Sequence, residues 1–269
     1  MVRIDHYSIF TKPWKQKTPD ELGKMVHDLG FDGIEYPLRA GYQVDLANAG
    51  PGLRSLSRTL ALYDVAITSV ASTAEEAIFS ACAEAGVPMI RIMYGTDAAK
   101  GYLASEAEWK KDIERFLPFC HQYPVKVGVQ PHYGNMISNS MELRHLLEDY
   151  NPALVGGIFD CAHSGLAGEE PEQGLDIIWD YLLLVNFKTA AYRLQSGPEA
   201  PVASYERYFT TGRYGLCSWK RVVKYLAGRG YQGNVCLPAE YTDESCIEAY
   251  AGDDLAYVRG LFDQQTSSI

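Results

Sequence analysis

The chain has 269 residues, 24 basic and 34 acidic, giving a formal net charge of −10 with 47% hydrophobic and 22% charged content. This is ordinary globular composition, and the acidic balance, with no Lys/Arg run, argues against nucleic acid or an anionic membrane surface as partner. No apolar run approaches the ~18 residues of a membrane span, and the stretch from Met1 to His6 lacks the charged-then-apolar layout of a signal peptide.

In chain order, Arg3 to Phe10 reads as a first strand. Thr18-Pro19-Asp20-Glu21 is a capping box with Pro at the first helical position, and Leu22, Met25, Val26 and Leu29 continue it as one apolar stripe. Gly30 closes that helix, and Phe31 to Tyr36 is a second strand carrying Glu35 near its end. A loop from Pro37 to Gly50 leads to a helix over Pro51–Leu62, a third strand over Val65–Ser72 and an Ala-rich helix over Thr73–Glu84. Val87–Tyr94 is strand four, followed by a helix over Ser105–His121. Lys126–Gln130 opens strand five, which runs on to His132, and Ser140–Tyr150 is helical. Val155–Asp160 is strand six, with Ser164 to Gly168 read as the loop after it. Pro171–Asp180 is a short helix and Leu182–Lys188 is strand seven. Thr189 to Leu216 reads as a long irregular stretch, and structureless segments of that length are usually functional lids or binding loops. Ser218 caps a helix with Trp219, Val222, Val223 and Leu226 on one face; Val235–Glu240 is strand eight, and Asp253–Phe262 the last helix.

Eight alternations of strand and helix demand parallel strands with helical crossovers. In about 250 residues that is the size of a closed α/β barrel, a (β/α)8 TIM barrel, formed here as a single domain over residues 1–269. A faint repeat supports it: Gly30-Phe31-Asp32-Gly33 and Gly230-Tyr231-Gln232-Gly233 both join a helix to a strand ending in Glu. A doubly wound open sheet is the alternative, but it wants G-x-G-x-x-G after strand one. That motif and a P-loop are both missing, so no nucleotide cofactor is expected. The six cysteines (Cys82, Cys120, Cys161, Cys217, Cys236, Cys246) form no C-x-x-C pair and read as reduced thiols of a cytoplasmic protein.

Active sites of such barrels lie at the carboxyl ends of the strands. Glu35, Gln130, His132, Asp160, His163, Asn186, Lys188 and Glu240 all fall at or just beyond strand ends. As a set they are hard to explain by packing. The 189–216 segment adds Tyr192 and Arg193, and Tyr133 follows strand five; tyrosines suit a sugar wall and arginines an anionic group. Some of these tyrosines equally suit a subunit interface, so a homo-oligomer is left open.

The D-x-x-H of Asp160 and His163, the Asn186-Phe187-Lys188 triplet, and Gly-Tyr-x-Gly leading to Glu240 are similar to motifs of the xylose isomerase-like TIM-barrel superfamily. That superfamily holds sugar phosphate isomerases and epimerases, inosose dehydratase and AP endonuclease family 2 enzymes. The resemblance runs over nearly the whole chain. It implies a divalent ion held by Glu on strand five, Asp on strand six, His on strand seven and Glu on strand eight. Asp160 and Glu240 match that pattern, whereas Gln130 and Asn186 stand at the other two positions. On this basis the expected metal set is Asp160, Glu240, Gln130 and Asn186, an all-oxygen set suited to Mn²⁺ or Mg²⁺ and less charged than in relatives. The resemblance further implies Glu240, Lys188 and His163 as catalytic groups. His132, Glu35, Arg193, Tyr192 and Tyr133 are expected to touch substrate. The expected activity is that of a sugar or polyol isomerase or epimerase working by proton transfer next to a carbonyl on a small-molecule substrate. Two alternatives stand beside it: a metal-free lyase or dehydratase of the same fold, and a non-catalytic sugar-binding barrel. An endonuclease reading fails, because strands three and four carry no His.

Overall fold

A computed structural model describes residues 2–266. Eight parallel strands close into a barrel: β1 (Arg3–Phe10), β2 (Gly33–Pro37), β3 (Ala66–Ala71), β4 (Met89–Ile92), β5 (Lys126–Val129), β6 (Val155–Asp160), β7 (Leu182–Asn186) and β10 (Gln232–Leu237). Each hydrogen-bonds its neighbours in chain order, and β1 pairs with β10 to complete the ring. The helices outside it are α1 (Pro19–Asp28), α2 (Ala49–Ala61), α3 (Glu76–Ala85), α4 (Tyr102–Gln122), α5 (Ser140–Leu147), α6 (Cys161–Ala167), α7 (Pro171–Ile178), α8 (Trp219–Gly228) and α9 (Ile247–Thr266). The (β/α)8 expectation is therefore met. Among the described residues, no helix is long and apolar enough to cross a membrane.

Local chemistry accounts for several boundaries. Thr18 and Glu21 form the expected capping box: the Glu21 N–H donates to Thr18 Oγ1 at 3.3 Å and the Thr18 N–H to Glu21 Oε2 at 2.7 Å. The two Gly-aromatic junctions of the faint repeat close their helices in the same way. Gly30 and Gly230 take left-handed φ values of 89° and 69°. The next N–H, from Phe31 or Tyr231, reaches back to the carbonyl of Val26 or Leu226.

The main core lies between strands and helices, with Leu22, Leu53, Phe79, Phe116, Phe159 and Trp219 among its most buried members. A second apolar cluster, Phe10, Ala71, Met89, Ile158, Leu184 and Cys236, forms separately. Side chains two apart on a strand share a face. Met89, Ile158 and Leu184 thus place Arg91, Asp160 and Asn186 one step further toward the carboxyl ends on the same side. Gly128 leaves room for this plug, since a Cβ there would come within 3.0 Å of Ile158 and 3.1 Å of Met89.

Four expectations are corrected. Thr189–Leu216 is not structureless: β8 (Thr189–Leu194) and β9 (Tyr205–Thr210) pair antiparallel as a hairpin. The Ser164–Gly168 stretch is the end of α6, which Asp160 caps and Gly168 terminates at φ 79°. The last helix starts at Ile247, Gly252 being carried inside it, and β10 ends at Leu237, three residues short of Glu240.

Asp254 on α9 ties the hairpin to the barrel. It accepts from the Gly212 N–H at 2.8 Å and from the Tyr241 hydroxyl at 3.0 Å. Burial pushes its carboxyl above the usual aspartate range, up to about 6, despite both bonds. The folded chain then holds the proton more tightly than the unfolded one. Asp254's contribution to stability is full below about pH 4 and is lost as pH rises through 6. Asp254→Asn should remove this dependence: between pH 4 and 7 stability should shift in the variant's favour relative to wild type by up to about 3 kcal/mol. Urea denaturation across that range reads it.

Candidate active site

The polar layer above the apolar plug is built around Asp160. It ends β6 opposite Asn186 of β7 in the sheet register and is 2% exposed. As N-cap of α6, its Oδ1 accepts from the N–H groups of Ala162 at 3.0 Å and His163 at 3.1 Å. Its Oδ2 accepts from Gln130 Nε2 at 2.8 Å and Asn186 Nδ2 at 3.3 Å. Burial pushes the Asp160 carboxyl up, but Lys188, His163 and these donors together hold it below the usual carboxylate range.

Lys188 stands between two carboxylates. Its Nζ donates to Glu240 Oε2 at 2.9 Å and lies 3.8 Å from Asp160 Oδ2. It also meets His163 Nε2 at 3.1 Å. An ammonium only donates, so His163 Nε2 is the unprotonated nitrogen and Nδ1 carries the hydrogen. Burial lowers the His163 imidazole to about 3, so the ring is neutral. Burial also works against the Lys188 charge, but Asp160 and Glu240 outweigh it and raise its pKa. Lys188 is thus a charged donor and not a free amine.

Glu240 follows Ala239, whose φ of 53° is unusual for a residue with a Cβ. That turn delivers Glu240 to two lysines, with Lys12 Nζ at 2.6 Å from its other oxygen. Burial pushes Glu240 up, yet Lys188 and Lys12 hold it well below the usual range. It is a weak base.

His132 differs from the other groups. Its Nδ1 lies 3.0 Å from the Tyr133 carbonyl oxygen, which can only accept, so Nδ1 carries the hydrogen. Burial lowers its pKa. His132 therefore presents a neutral ring with a lone pair on Nε2. It lines one cleft with Gln130, Asn186, Lys188 and Glu240.

On the opposite wall, Glu35 is 1% exposed and forms a two-pronged pair with Arg91: Nε to Oε1 at 2.9 Å and Nη2 to Oε2 at 3.0 Å. Ser69 adds a bond of 3.3 Å, and Arg91 lies over the Phe10 ring at 4.8 Å. Glu35 lines the cleft with its charge already matched.

Of the expected site residues, Glu240, Lys188, His132, Glu35, Gln130 and Asn186 line this cleft. Asp160 and His163 lie beneath it, bonded to its walls. Tyr133 borders the adjoining opening with His132, Lys188 and Phe209, its ring 4.4 Å from that of His132. Tyr192 and Arg193 are not brought in. Tyr192 donates to the Leu166 carbonyl at 2.9 Å, and Arg193 lies 3.1 Å over the Tyr208 ring on the hairpin. Strand pairing turned these two along the hairpin. The sequence reading missed Arg91 and Lys12. Arg91 left a signal, a lone charge in the apolar strand Met89-Ile90-Arg91-Ile92; Lys12 left none.

The expected metal set does not fit this arrangement. Gln130 and Asn186 turn N–H groups toward Asp160, so they cannot share an ion with its Oδ2 while keeping those bonds. Lys188 already lies between Asp160 and Glu240. Among the described residues, no cluster of three or more His, Cys, Asp or Glu is arranged to hold a metal.

Removing one partner of the Glu35–Arg91 pair strands a buried charge. Arg91→Met should cost about 3–5 kcal/mol, and adding Glu35→Leu should recover most of it. A double-mutant cycle by chemical denaturation measures both; a single-variant loss under about 1 kcal/mol would contradict the burial described.

A family model described as xylose isomerase-like TIM barrel matches residues 23–261. An inosose dehydratase of Bacillus licheniformis is 24% identical over 149 residues, 52% of this chain and 49% of that protein. The chain thus spans about half the length of the curated relative it matches. Among solved structures, a xylose isomerase-like TIM barrel/4-hydroxyphenylpyruvate dioxygenase fusion protein superposes with a TM-score of 0.74 at 18% identity, covering 98% of this chain and 43% of that one. A 3-keto-D-glucoside 4-epimerase from E. coli gives 0.70 at 14% identity, over 96% of this chain and 100% of that one. At these identities the structural likenesses establish the fold alone.

Proposed function

We propose, from the premise that the chain belongs to the xylose isomerase-like TIM-barrel family, that it is an enzyme moving a proton next to the carbonyl of a sugar or polyol. The observation that carries the reading is His132: a neutral imidazole with a free Nε2 lone pair, in one cleft with a charged lysine. That is a general base beside a cation able to stabilise an oxyanion.

The chemistry follows from these charges. His132 Nε2 takes the proton from the carbon next to the carbonyl. The electron pair moves to the carbonyl oxygen, where the Lys188 ammonium stabilises the enolate. The hydrogen on the hydroxyl oxygen of the deprotonated carbon passes to the enolate oxygen, and protonated His132 returns its proton to the former carbonyl carbon, which exchanges the positions of carbonyl and hydroxyl. Glu240 is tied to two lysines and is a poor second base, so the two-base route to epimerisation is disfavoured.

Dehydration is the second reading, supported by the inosose dehydratase relative. It uses the same first step. The enolate then expels the hydroxyl on the next carbon, which leaves as water with a proton from protonated His132.

Incubation in D2O with a panel of ketoses, aldoses and inososes separates the outcomes. Isomerisation should place deuterium on carbon with no change in composition, and dehydration should give loss of water. His132→Asn should lower either rate by roughly 10²–10⁴-fold with little change in KM. No exchange and no loss of water across the panel would sink the reading.

A further inference from the structure

Asp160 dictates more than its own charge. A carboxylate only accepts, so Gln130 and Asn186 must each turn their NH2 group toward it. This sets the other end of both amides. Gln130 Oε1 and Asn186 Oδ1 are buried with no hydrogen-bond partner, and both residues line the cleft. Buried acceptors left unmatched are costly, so a ligand that donates two hydrogens there is favoured.

Lys188 supplies what the amides cannot. Its ammonium is held by Glu240, at 2.9 Å, and by His163 and Asp160 behind it. The two carboxylates are therefore balanced by two charges the chain itself carries, the ammoniums of Lys188 and, on the far oxygen of Glu240, Lys12.

We propose that this cleft binds its ligand without a divalent cation: Gln130 Oε1 and Asn186 Oδ1 accept hydrogen bonds from two hydroxyls of one diol, and Lys188 provides the positive charge for the ligand's carbonyl oxygen. A metal ion reads hydroxyl groups through their lone pairs. Amide oxygens read them through their hydrogens. The ligand class is accordingly a polyhydroxy ketone or aldehyde with both hydroxyls free, and a deoxy or O-methyl analogue at either position is rejected. The proposal rests on reading the cleft as a sugar or polyol site.

Isothermal titration of the wild-type chain with D-fructose and with an inosose, each beside its monodeoxy analogues, tests it. Titrations are run in EDTA and again with 1 mM MnCl2, while MnCl2 alone is titrated in parallel. The expected result is binding that EDTA changes less than twofold, a loss of more than tenfold on removing one hydroxyl, and no saturable uptake of Mn²⁺. In Asn186→Leu, one deoxy analogue and its parent should bind equally. A general loss of structure would not produce that collapse of discrimination. Saturable Mn²⁺ binding, or ligand binding that EDTA weakens more than tenfold, overturns the proposal and leaves the proton-transfer reading standing. EDTA-insensitive binding with no deuterium exchange sinks the proton-transfer reading and keeps this one. No binding by any of these ligands overturns both.

Discussion

The mouth of this barrel is organised by one cost: a carboxylate buried where water cannot solvate it. An unmatched Asp160 would be unstable in that position. The surrounding fold supplies five compensations from four directions. Two are backbone N–H groups at the start of α6, two are amides from β7 and the end of β5, and one is the Lys188 ammonium. A closed parallel sheet makes this economical. Asp160 and Asn186 are register partners, and Gln130 lies one residue beyond Val129, the partner of Gly157. Three neighbouring strands thus end together around one oxygen.

The same constraint sorts the titratable groups into roles. Most charges in the cleft are matched in pairs or chains: Glu35 with Arg91, and Lys12 with Glu240, Lys188 and Asp160, while Arg39, which also lines it, lies 5.8 Å over the Tyr42 ring. A carboxylate paired with two ammoniums has little basicity to offer. An ammonium held by two carboxylates has no lone pair for attack on a carbonyl. Burial, acting on the two imidazoles, leaves them neutral, but their partners differ. His163 spends its acceptor on Lys188, whereas His132 spends its donor on a backbone carbonyl. One ring is consumed by structure and the other keeps a lone pair. The residue type alone does not decide this; the hydrogen bond at the far nitrogen does.

These distinctions explain what the sequence could reveal. The barrel was legible because each strand is a short apolar run and each helix has a cap and a stripe, signals that local physics creates. The convergence of Gln130, Asp160, Asn186, Lys188 and Glu240 was legible because strand ends in such a barrel face one mouth. The α6 helix was hidden by Ser164-Gly165, small residues that resemble a loop; Gly165 is small because a Cβ would approach the Cys217 backbone nitrogen to 2.9 Å. The hairpin was hidden because its strands are largely exposed and lack apolar alternation. Lys12 and Tyr192 were hidden or misplaced for a common reason, since a long side chain in a loop or hairpin finds its partner only in three dimensions.

Gln130 and Asn186 act as one feature, since both amides donate to the same oxygen of Asp160. A carboxylate at position 130 would face Asp160 across the 2.8 Å now bridged by an amide N–H, and like charges at that distance repel strongly unless a cation intervenes. Lys188 contributes only one charge, and Glu240 already shares it. A change of Gln130 to an acid would therefore need a second positive charge, from a proton or an ion. An amide at 130 removes that need, and an amide at 186 completes the set of donors on the same oxygen. The pair, together with Lys188, forms a closed electrostatic unit in which Asp160 remains ionised on protein groups alone. What began as a strand-end acid three residues before a histidine is thus the anchor that fixes how the amides of its neighbours are turned.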